Sequence, residues 1–364
     1  MGPAAVAAEA PPALPRKGFA CRTRGLISAK ADLSRMTELY DVAAIGNAIV
    51  DVIAPATDDF LTQQGMDKGA MMLVDEQRSA ALYAAMQAGL EASGGSAANT
   101  VAGLASFGGR GAFLGKVADD QLGKVFTHDM RAIGAHFDTP PLLNGKATAV
   151  SMINVTPDGE RTMSTFLGAS TEFAAEDIDA AIVEAAKIVY LEGYLFDAEA
   201  ARRAFAKAAA LAHGAGRMIA ITLSDGFVVE RHREALLGFL ETQVDLVFAN
   251  ATEVASLFQT DDFDAAVNAL RSKVKIAAVT RSAQGSVIVA GGETFEVSAF
   301  PVEKVVDTTG AGDQYAAGFM YGLANGRPLN VCGQLGSLAA AEVISHYGPR
   351  PQVSLKDLAA SKGL

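Results

Sequence analysis

From residue 40 onwards, short apolar segments alternate with longer helical stretches, and this alternation constrains the fold more than any other feature of the sequence. Four apolar segments have the composition of buried parallel strands: residues 188–191, 218–223, 246–249 and 276–280. Helical stretches separate them: residues 198–212, 228–240 and 263–270. The pattern predicts a doubly wound α/β fold, with a mostly parallel central sheet flanked by helices. In such folds, ligands bind beyond the carboxyl ends of the strands.

Several shorter segments do not follow the parallel pattern. Residues 286–290 and 294–297, joined by two glycines, predict a β-hairpin. Two further strands, residues 147–155 and 160–166, alternate around Pro-Asp-Gly, and with residues 70–74 they predict a small β lid. We therefore expect one main domain over residues 37–364, with a lid contributed by about residues 70–75 and 147–166.

The first 36 residues differ from the rest of the chain in charge. They carry six basic and two acidic residues, whereas the whole chain of 364 residues has a net charge of −11. They lack the continuous apolar core of a secretory signal. We expect a disordered extension, or a start codon assigned too early with Met36 as the true start; a transit peptide is the alternative.

Charge and cysteine content narrow the functional class. The acidic balance argues against nucleic acid bound through its phosphates. No apolar run reaches the roughly 18 residues that a membrane span needs. Cys21 and Cys332 form neither a disulfide framework nor a metal pattern. We therefore expect a cytoplasmic protein that acts on a small molecule and binds neither nucleic acid nor membrane.

The most informative segment is Asp-Thr-Thr-Gly-Ala-Gly-Asp at residues 307–313, directly before the helical stretch 314–324. Two glycines before a helix let the backbone approach a ligand closely, and the helix dipole favours an anion there. Asp313 adds a carboxylate beside that anion, which is unfavourable unless the acid has a task. A general base that takes the proton from a hydroxyl attacking phosphorus has such a task. The alternative is that Asp313 only caps the helix.

Two further segments place polar residues where a ligand would bind, and each has a structural alternative. Residues 94–96, Gly-Gly-Ser, open a helical stretch with Asn99 one turn further along. They suit either close approach to a ligand or an N-cap at the serine. Asn47 and Asp51 interrupt the apolar run 42–53, which predicts a first buried strand. Their side chains need partners, which sugar hydroxyls or a structural turn would supply.

One segment is suited to organising a nucleotide with Mg²⁺, and it is not a P-loop. Asn250 and Glu253 directly follow the strand at residues 246–249. They would hold water around Mg²⁺, form a capping box at a helix start, or do both. The Gly-Lys pairs of the chain are followed by Val or Ala, so the Walker A pattern is absent.

Taken together, these motifs resemble those of the ribokinase (PfkB) family of carbohydrate and nucleoside kinases. The motifs at residues 94–99, 250–253 and 307–313 occur here in the family's order. Residues 115–120 are similar to the family's Gly-x-Val-Gly-Asp-Asp stretch, from which Ala118 departs. The resemblance covers residues from about 40 to 355 and implies a ribokinase-like fold that transfers a phosphoryl group from ATP with Mg²⁺.

The resemblance also implies roles for individual residues. Asp313 matches the family's catalytic base, and the backbone of Gly310, Ala311 and Gly312 matches its anion hole. Positions that bind sugar hydroxyls are matched by Asn47, Asp51, Gly94, Gly95 and Asn99. Positions around the nucleotide are matched by Asn250 and Glu253, through Mg²⁺-bound water, and by Thr280 and Gly285, in the loop that lines the ATP site. Asp307 and Thr309 match a K⁺ site of some members. Arg161 lies on the predicted lid and could approach the phosphates when the lid closes; an exposed hairpin arginine is the alternative.

Within the family, three details favour adenosine kinases. The first motif reads Gly-Asn-x-x-x-Asp and the second Gly-Gly-Ser, and aromatic residues follow the strand at 188–191. Tyr194 or Phe196 could stack on a base, although a place in the core is as reasonable for either. The resemblance then implies phosphorylation of the adenosine 5′-hydroxyl to give AMP, a reaction of purine salvage.

Other functions stay open. Ribose, another sugar, inosine or guanosine are alternative acceptors. A non-catalytic nucleoside-binding protein would have no use for a base at residue 313. A nicotinamide- or flavin-dependent oxidoreductase is disfavoured, because the first strand is not followed by Gly-x-Gly-x-x-Gly. The chain could be a monomer or a dimer paired through its lids.

Overall fold

A computed structural model describes residues 40–364, and the predictions for residues 1–36 lie outside the described residues. The larger of its two sheets contains eight strands, numbered in chain order: β1 Tyr40–Ile45, β5 Gly111–Leu114, β8 Ala186–Glu192, β9 Met218–Thr222, β10 Leu246–Asn250, β11 Ile276–Thr280, β12 Ser286–Ala290 and β13 Glu293–Val297. Their spatial order is β13-β12-β11-β10-β9-β8-β1-β5. The six strands from β5 to β11 in this order are parallel, and the β12–β13 hairpin adds two antiparallel strands at one edge. The predicted mostly parallel sheet and its hairpin are confirmed.

Helices cover both faces of this sheet, and therefore its central strands are continuous apolar runs. Val189 and Leu191 of β8 contribute to the core on one face, whereas Ile188 and Tyr190 contribute to the core on the other. The helices are α1 Asp58–Gln63, α2 Glu76–Ala85, α3 Ser96–Ser106, α4 Gln121–Ala132, α5 Ala180–Ala185, α6 Glu199–Gly214, α7 Gly226–Gln243, α8 Ala251–Phe258, α9 Phe263–Arg271, α10 Ala311–Ala324, α11 Leu329–Val343 and α12 Leu355–Ser361. Among the described residues, none of these helices is long and apolar enough to cross a membrane.

Close packing of two helices brings distant motifs together. A Cβ on Gly103 of α3 would lie 2.8 Å from the Cβ of Ala317 in α10 and 2.0 Å from Gln314 Oε1. Glycine at this position therefore lets the two backbones approach. The N-terminus of α3 consequently lies beside that of α10, although more than 200 residues separate them.

The second sheet, called here the lid sheet, is larger than predicted. Its strands are β2 Ile49–Pro55, β3 Met71–Leu73, β4 Leu90–Gly94, β6 Ala149–Val155 and β7 Arg161–Phe166, in the order β3-β7-β6-β2-β4. Three of them lie in the predicted segments. The other two, β2 and β4, were not expected there, because β4 reads Leu-Glu-Ala-Ser-Gly and lacks an apolar alternation.

The prediction of one strand over residues 42–53 is wrong. The chain leaves the large sheet after Ile45 and enters the lid sheet at Ile49. The crossing occurs at a crowded point, where a Cβ on Gly46 would lie 2.5 Å from both Glu192 Oε2 and Ala97 Cβ. The polar residues at 47 and 51 therefore lie at a junction between the two sheets rather than at the end of one strand.

Candidate active site

Asp313 lies in the first turn of α10, and its side chain points to α3 rather than capping its own helix. Gly310 is the N-cap, and no side chain caps this helix end. One carboxylate oxygen of Asp313 accepts a hydrogen bond of 2.6 Å from Ser96 Oγ, and the other accepts one of 3.5 Å from Asn99 Nδ2. Burial raises the pKa of Asp313 to about 6, against the opposing effect of these two hydrogen bonds. The alternative of a simple helix cap is therefore wrong.

The glycines before Asp313 form an open helix N-terminus. Gly310 has φ of +79°, a conformation that strains any residue with a Cβ. A Cβ there would also lie 2.7 Å from Pro349, whereas a Cβ on Gly312 would meet no atom within 4 Å. Because the amides of a first helical turn lack an intrahelical acceptor, this end of α10 can bind an anion in that open space. The amide of Ala311 also donates a hydrogen bond of 3.2 Å to the carbonyl of Thr308. The arrangement suits the predicted anion hole at residues 310–312.

Four residues of the sugar-binding prediction come together into one group, which we call the acceptor cradle: Asn47, Asp51, Gly94 and Gly95. A Cβ on Gly94 would lie 2.3 Å from Asp51 Oδ2, and one on Gly95 would lie 2.5 Å from the carbonyl oxygen of Asn47. Gly95 also has φ of +93°. Both glycines are thus required by close approach of the β2 segment, and both lie directly before α3.

Asp51 is the ionisable group of the acceptor cradle. Burial raises its pKa to about 6, and the carboxylate of Asp313 contributes in the same direction. Arg350 and Arg161 act in the opposite direction. Asp51 and Asp313 therefore lie at one site, which we call the cleft, where two carboxylates and two arginines influence one another.

Glu192 is a site residue that sequence reasoning missed. It is 1% exposed, and it accepts hydrogen bonds of 2.9 Å from Asn47 Nδ2 and from the amide of Ala97. Burial raises its pKa to about 7. The residue fixes Asn47 of the acceptor cradle against the start of α3. The only sequence signal was an acid at the end of an apolar strand.

Ser96 and Arg350 are also site residues outside the predictions. The alternative of an N-cap at Ser96 is wrong, because Gly95 occupies that position and the Ser96 hydroxyl donates to Asp313. Arg350 comes from the segment after α11, and its Nε donates a hydrogen bond of 3.1 Å to Asn99 Oδ1. No motif of the sequence indicated an arginine from so near the C-terminus.

The predicted nucleotide residues lie along neighbouring strand ends. Asn250 ends β10 opposite Thr280 of β11. Asn250 and Glu253 form the capping box: Asn250 Oδ1 accepts a hydrogen bond of 2.9 Å from the amide of Glu253, and Glu253 Oε2 accepts one of 3.0 Å from the amide of Asn250. Gly285 has φ of +82°, and a Cβ at this position would lie 2.0 Å from the carbonyl oxygen of Val297. The backbone conformation and the close approach of β13 therefore explain this glycine without a ligand.

Glu253 has the chemistry to hold Mg²⁺ through water. It is 5% exposed, and burial raises its pKa to about 7, with the nearby Asp225 acting in the same direction. Each of its oxygens accepts one hydrogen bond from Asn250, and a carboxylate oxygen can accept another from a metal-bound water. Within residues 40–364, no cluster of three His, Cys, Asp or Glu side chains could bind a metal directly.

The predicted K⁺ site does not fit the arrangement of Asp307. One oxygen of its carboxylate accepts from the amide and hydroxyl of Thr309, at 3.0 and 2.6 Å. The other accepts from the amide of Gly348 and forms an ion pair with Arg161 of the lid sheet. Arg161 therefore supplies the positive charge beside Asp307 that a potassium ion would bring. The hydrogen bonds from Thr309 and Gly348, followed by the charge of Arg161, hold the pKa of Asp307 below its usual value against the opposing effect of burial.

The two candidate aromatic residues have different environments. Phe196 is 2% exposed and packs against Phe205 and Phe239, so it belongs to the core. Tyr194 is 39% exposed. Its pKa is raised by burial of the hydroxyl and by nearby carboxylates, including those of Asp225 and Asp313. Of the two, Tyr194 is available to a ligand.

Comparison with known proteins decides the family. A family model described as pfkB family carbohydrate kinase matches residues 71–355. The chain belongs to the pfkB family. The predicted family and fold are therefore confirmed, and as a pfkB-family kinase the chain transfers a phosphoryl group to an alcohol.

Several relatives of this pfkB-family kinase have names that point to acceptors. The crystal structure of adenosine kinase from Sinorhizobium meliloti is 53% identical, with a TM-score of 0.82 over 89% of this chain and 99% of that one. A probable sugar kinase from Rhizobium etli CFN 42 is 50% identical, with a TM-score of 0.83 over 90% and 99% of the two chains. Adenosine kinase from Saccharomyces cerevisiae is 26% identical over 330 residues, which are 85% of this chain and 96% of the relative.

Proposed function

We propose that this pfkB-family kinase transfers the γ-phosphoryl group of ATP to the 5′-hydroxyl of adenosine, giving ADP and AMP. The observation that carries the proposal is the placement of the Asp313 carboxylate, between the open N-terminus of α10 and the acceptor cradle. In this position the carboxylate would serve as a proton acceptor beside an anion and the hydroxyl groups of a sugar. AMP formation from adenosine would be a purine-salvage reaction.

The reaction follows from these positions. The acceptor hydroxyl gives its proton to Asp313 as its oxygen forms a bond to the γ-phosphorus, and the bond from that phosphorus to the ADP oxygen breaks. The amides of residues 310–312 and the dipole of α10 stabilise the negative charge on the transferring group. Mg²⁺, held through water by Asn250 and Glu253, would neutralise phosphate charge.

The lid sheet has a part in this proposal, because it contributes both to the acceptor cradle and to the ion pair with Asp307. Asp51 lies on β2, and Arg161 lies on β7. Closure of the lid sheet over the acceptor would exclude water, so that ATP is not hydrolysed. ATP hydrolysis without acceptor at a rate near that of phosphoryl transfer would contradict this role.

The charge of the cleft favours an uncharged acceptor rich in hydroxyl groups. Asp51, Glu192 and Asp313 bring carboxylates to the cleft, and Arg350 is the cation that acts on both Asp51 and Asp313. An acceptor with its own negative charge would be repelled by the remaining acidic groups. Adenosine satisfies this requirement, and the exposed ring of Tyr194 offers a face for its base.

A neutral sugar is the second candidate. The acceptor cradle would contact only the sugar part of a nucleoside, and the relative from Rhizobium etli is described as a probable sugar kinase. Ribose, fructose, inosine and guanosine therefore belong in the same comparison as adenosine.

The deciding experiment measures ATP-dependent phosphorylation of adenosine, inosine, guanosine, ribose and fructose with Mg²⁺, each with and without K⁺. We expect the highest kcat/KM for adenosine, with AMP as the product. We also expect little dependence on K⁺, since Arg161 occupies the position beside Asp307. Preference for a free sugar would overturn the adenosine assignment but would leave the role of Asp313 as general base unchanged. Saturable adenosine binding without ATP turnover would identify a non-catalytic binding protein.

A further inference from the structure

Arg350 reaches the cleft from a segment that carries no family motif. The segment Gly348-Pro349-Arg350 follows α11 and is fixed by three contacts. The amide of Gly348 donates to Asp307 Oδ2 at 3.0 Å, and Gln314 Nε2 donates to the carbonyl of Pro349 at 2.9 Å. The ring of Pro349 packs where a Cβ on Gly310 would be. The position of Arg350 is thus set by the same residues that form the start of α10.

The guanidinium of Arg350 bridges two residues of the acceptor side. Its Nε donates to Asn99 Oδ1 at 3.1 Å, and its Nη1 donates to Ser93 Oγ at 2.9 Å. Its Nη2 is shielded from water and has no hydrogen-bond partner. An unpaired donor of this kind is costly. The two hydrogen bonds therefore do not by themselves account for a cation at this position.

The first bond determines which way the Asn99 amide faces. An asparagine amide has one acceptor end and one donor end. Because Arg350 donates to the Oδ1 end, the Nδ2 end faces Asp313 Oδ2 at 3.5 Å. The backbone of Asn99 is held as well, since Gln314 Nε2 donates to its carbonyl at 3.0 Å. A reversed amide would present its oxygen to the Asp313 carboxylate and would be repelled.

The charge of Arg350 acts on three carboxylates. The pKa of the guanidinium is lowered by burial, against the opposing effect of Asp51, Asp129 and Asp313. Asp129 accepts a hydrogen bond of 2.9 Å from the amide of Ser93, whose hydroxyl accepts from Arg350. The other ionisable groups that interact with Asp313 are the carboxyls of Asp51 and Glu192 and the hydroxyls of Tyr190 and Tyr194. Among all these groups, Arg350 is the cation that acts on Asp313.

We propose that Arg350 is a positioning residue for phosphoryl transfer, which turns the Asn99 amide toward Asp313 and brings a positive charge near the carboxylate that takes the acceptor's proton. The inference rests on the proposed role of Asp313 as the base. Arg350 would act on Asp313 in two ways: it orients the Asn99 amide, and its positive charge favours the ionised form of the Asp313 carboxylate.

Two substitutions separate these effects. Arg350→Lys keeps the charge and removes the paired bonds to Asn99 and Ser93, whereas Arg350→Gln removes the charge. We expect the acid limb of the kcat–pH profile to move up by about one pH unit or more in Arg350→Gln, as loss of a nearby opposite charge predicts. In Arg350→Lys the limb should stay near that of the unchanged protein, while kcat falls roughly 10-fold from lost positioning. In an Asn99→Ala background, Arg350→Lys should add no further loss of kcat.

The matched control is Arg217→Gln. Arg217 is also partly buried, and its Nε donates to the carbonyl of Glu184 at 2.8 Å. It directly precedes β9, at the amino end of that strand. We expect its kcat–pH profile to equal that of the unchanged protein. Thermal unfolding of every variant shows whether the fold is retained.

A readout independent of turnover is the ionisation of Asp313, followed by NMR titration of protein with ¹³C-labelled aspartate carboxyls and assigned with Asp313→Asn and Asp51→Asn. The Asp313 signal should titrate at higher pH in Arg350→Gln. In Arg350→Lys it should titrate at the same pH as in the unchanged protein. A folded Arg350→Gln whose Asp313 titration and acid limb match those of the unchanged protein would overturn the inference. An equal loss of kcat in Arg350→Gln and Arg350→Lys, with no shift of the Asp313 titration in either variant, would show that Arg350 has only a structural role. Near-normal turnover of Asp313→Asn would instead remove the proposed base.

Discussion

At the scale of single residues, the properties of Asp313 come from its neighbours rather than from its own helix. A carboxylate in the first turn of a helix is ordinarily a favourable charge near the positive end of the dipole. Here the side chain turns away to Ser96 and Asn99 of another helix, and burial raises its pKa to about 6. Neutral pH is therefore only slightly above the pKa of this carboxyl group, so the group is ionised and can still take up a proton readily. This suits a general base.

Replacing Asp313 by Asn should abolish most turnover without loss of acceptor binding. Asparagine fills the same volume and can still contact Ser96, but it cannot accept a proton. We expect kcat to fall by about 10²- to 10⁴-fold, the usual contribution of general-base catalysis. Steady-state kinetics with the preferred acceptor, together with calorimetric titration of that acceptor, measure the two quantities. Turnover within a few-fold of the unchanged protein would remove Asp313 from this role.

At the scale of elements, the two glycines at the start of α10 have different reasons to be glycine. Gly310 needs its positive φ and touches Pro349, whereas Gly312 faces open space. The first requirement is structural and exists without any ligand. The second is compatible with a ligand that approaches the backbone, because no protein atom fills the space.

The substitutions Gly310→Ala and Gly312→Ala should therefore separate stability from activity. Gly310→Ala forces a strained φ and a clash, and we expect it to lower the free energy of unfolding by about 1–3 kcal/mol. Gly312→Ala should leave stability nearly unchanged, because alanine is favoured in helices and meets no neighbour. It should still lower kcat/KM for ATP, since its methyl group would occupy the anion site. Thermal melts and kinetics of both proteins test this, and full activity of Gly312→Ala would argue against an anion hole at that position.

At the scale of the whole molecule, four carboxyl groups share the cleft or its rim and have raised pKa values. Burial raises the pKa of Asp51 and Asp313 to about 6, and that of Glu192 and Glu253 to about 7. In the unfolded chain these groups ionise near pH 4. The folded protein therefore binds more protons than the unfolded chain between about pH 4 and 7, and its stability from these groups falls as the pH rises through that range.

Glu192→Gln should make this pH dependence shallower. The variant has one group fewer that must ionise inside the protein, so its free energy of unfolding should decline less between pH 5 and 8. The difference in slope, not the absolute stability, is the test, because glutamine cannot accept both hydrogen bonds that Glu192 accepts from Asn47 and Ala97. Urea unfolding at several pH values measures it. Glu241→Gln, at an exposed side chain, is the control, and an equal slope in both variants would contradict the prediction.

The sequence predicts what depends on local pattern and not what depends on the meeting of distant segments. The parallel strands, the hairpin and the glycines of the motif at 307–313 follow from local pattern, and the structure places them as expected. Glu192 and Arg350 have no local signature, because their roles exist only where β8, α3 and the segment after α11 meet. The place of β2 and β4 in the lid sheet was not predicted for a related reason. The strand β2 continues an apolar run that begins in the large sheet, and β4 has too few apolar residues to show a strand pattern.

The long separations of the bonds in the cleft have a consequence for folding kinetics. Ser96 and Asp313 are 217 residues apart, and the bond from Arg350 to Ser93 spans 257 residues. Contacts between such remote segments form late, because the loops that they close lose the most entropy. During refolding, recovery of secondary structure should therefore precede recovery of turnover. Enzymatic activity of this chain should therefore appear only when folding is complete, and collapsed folding intermediates should have no activity.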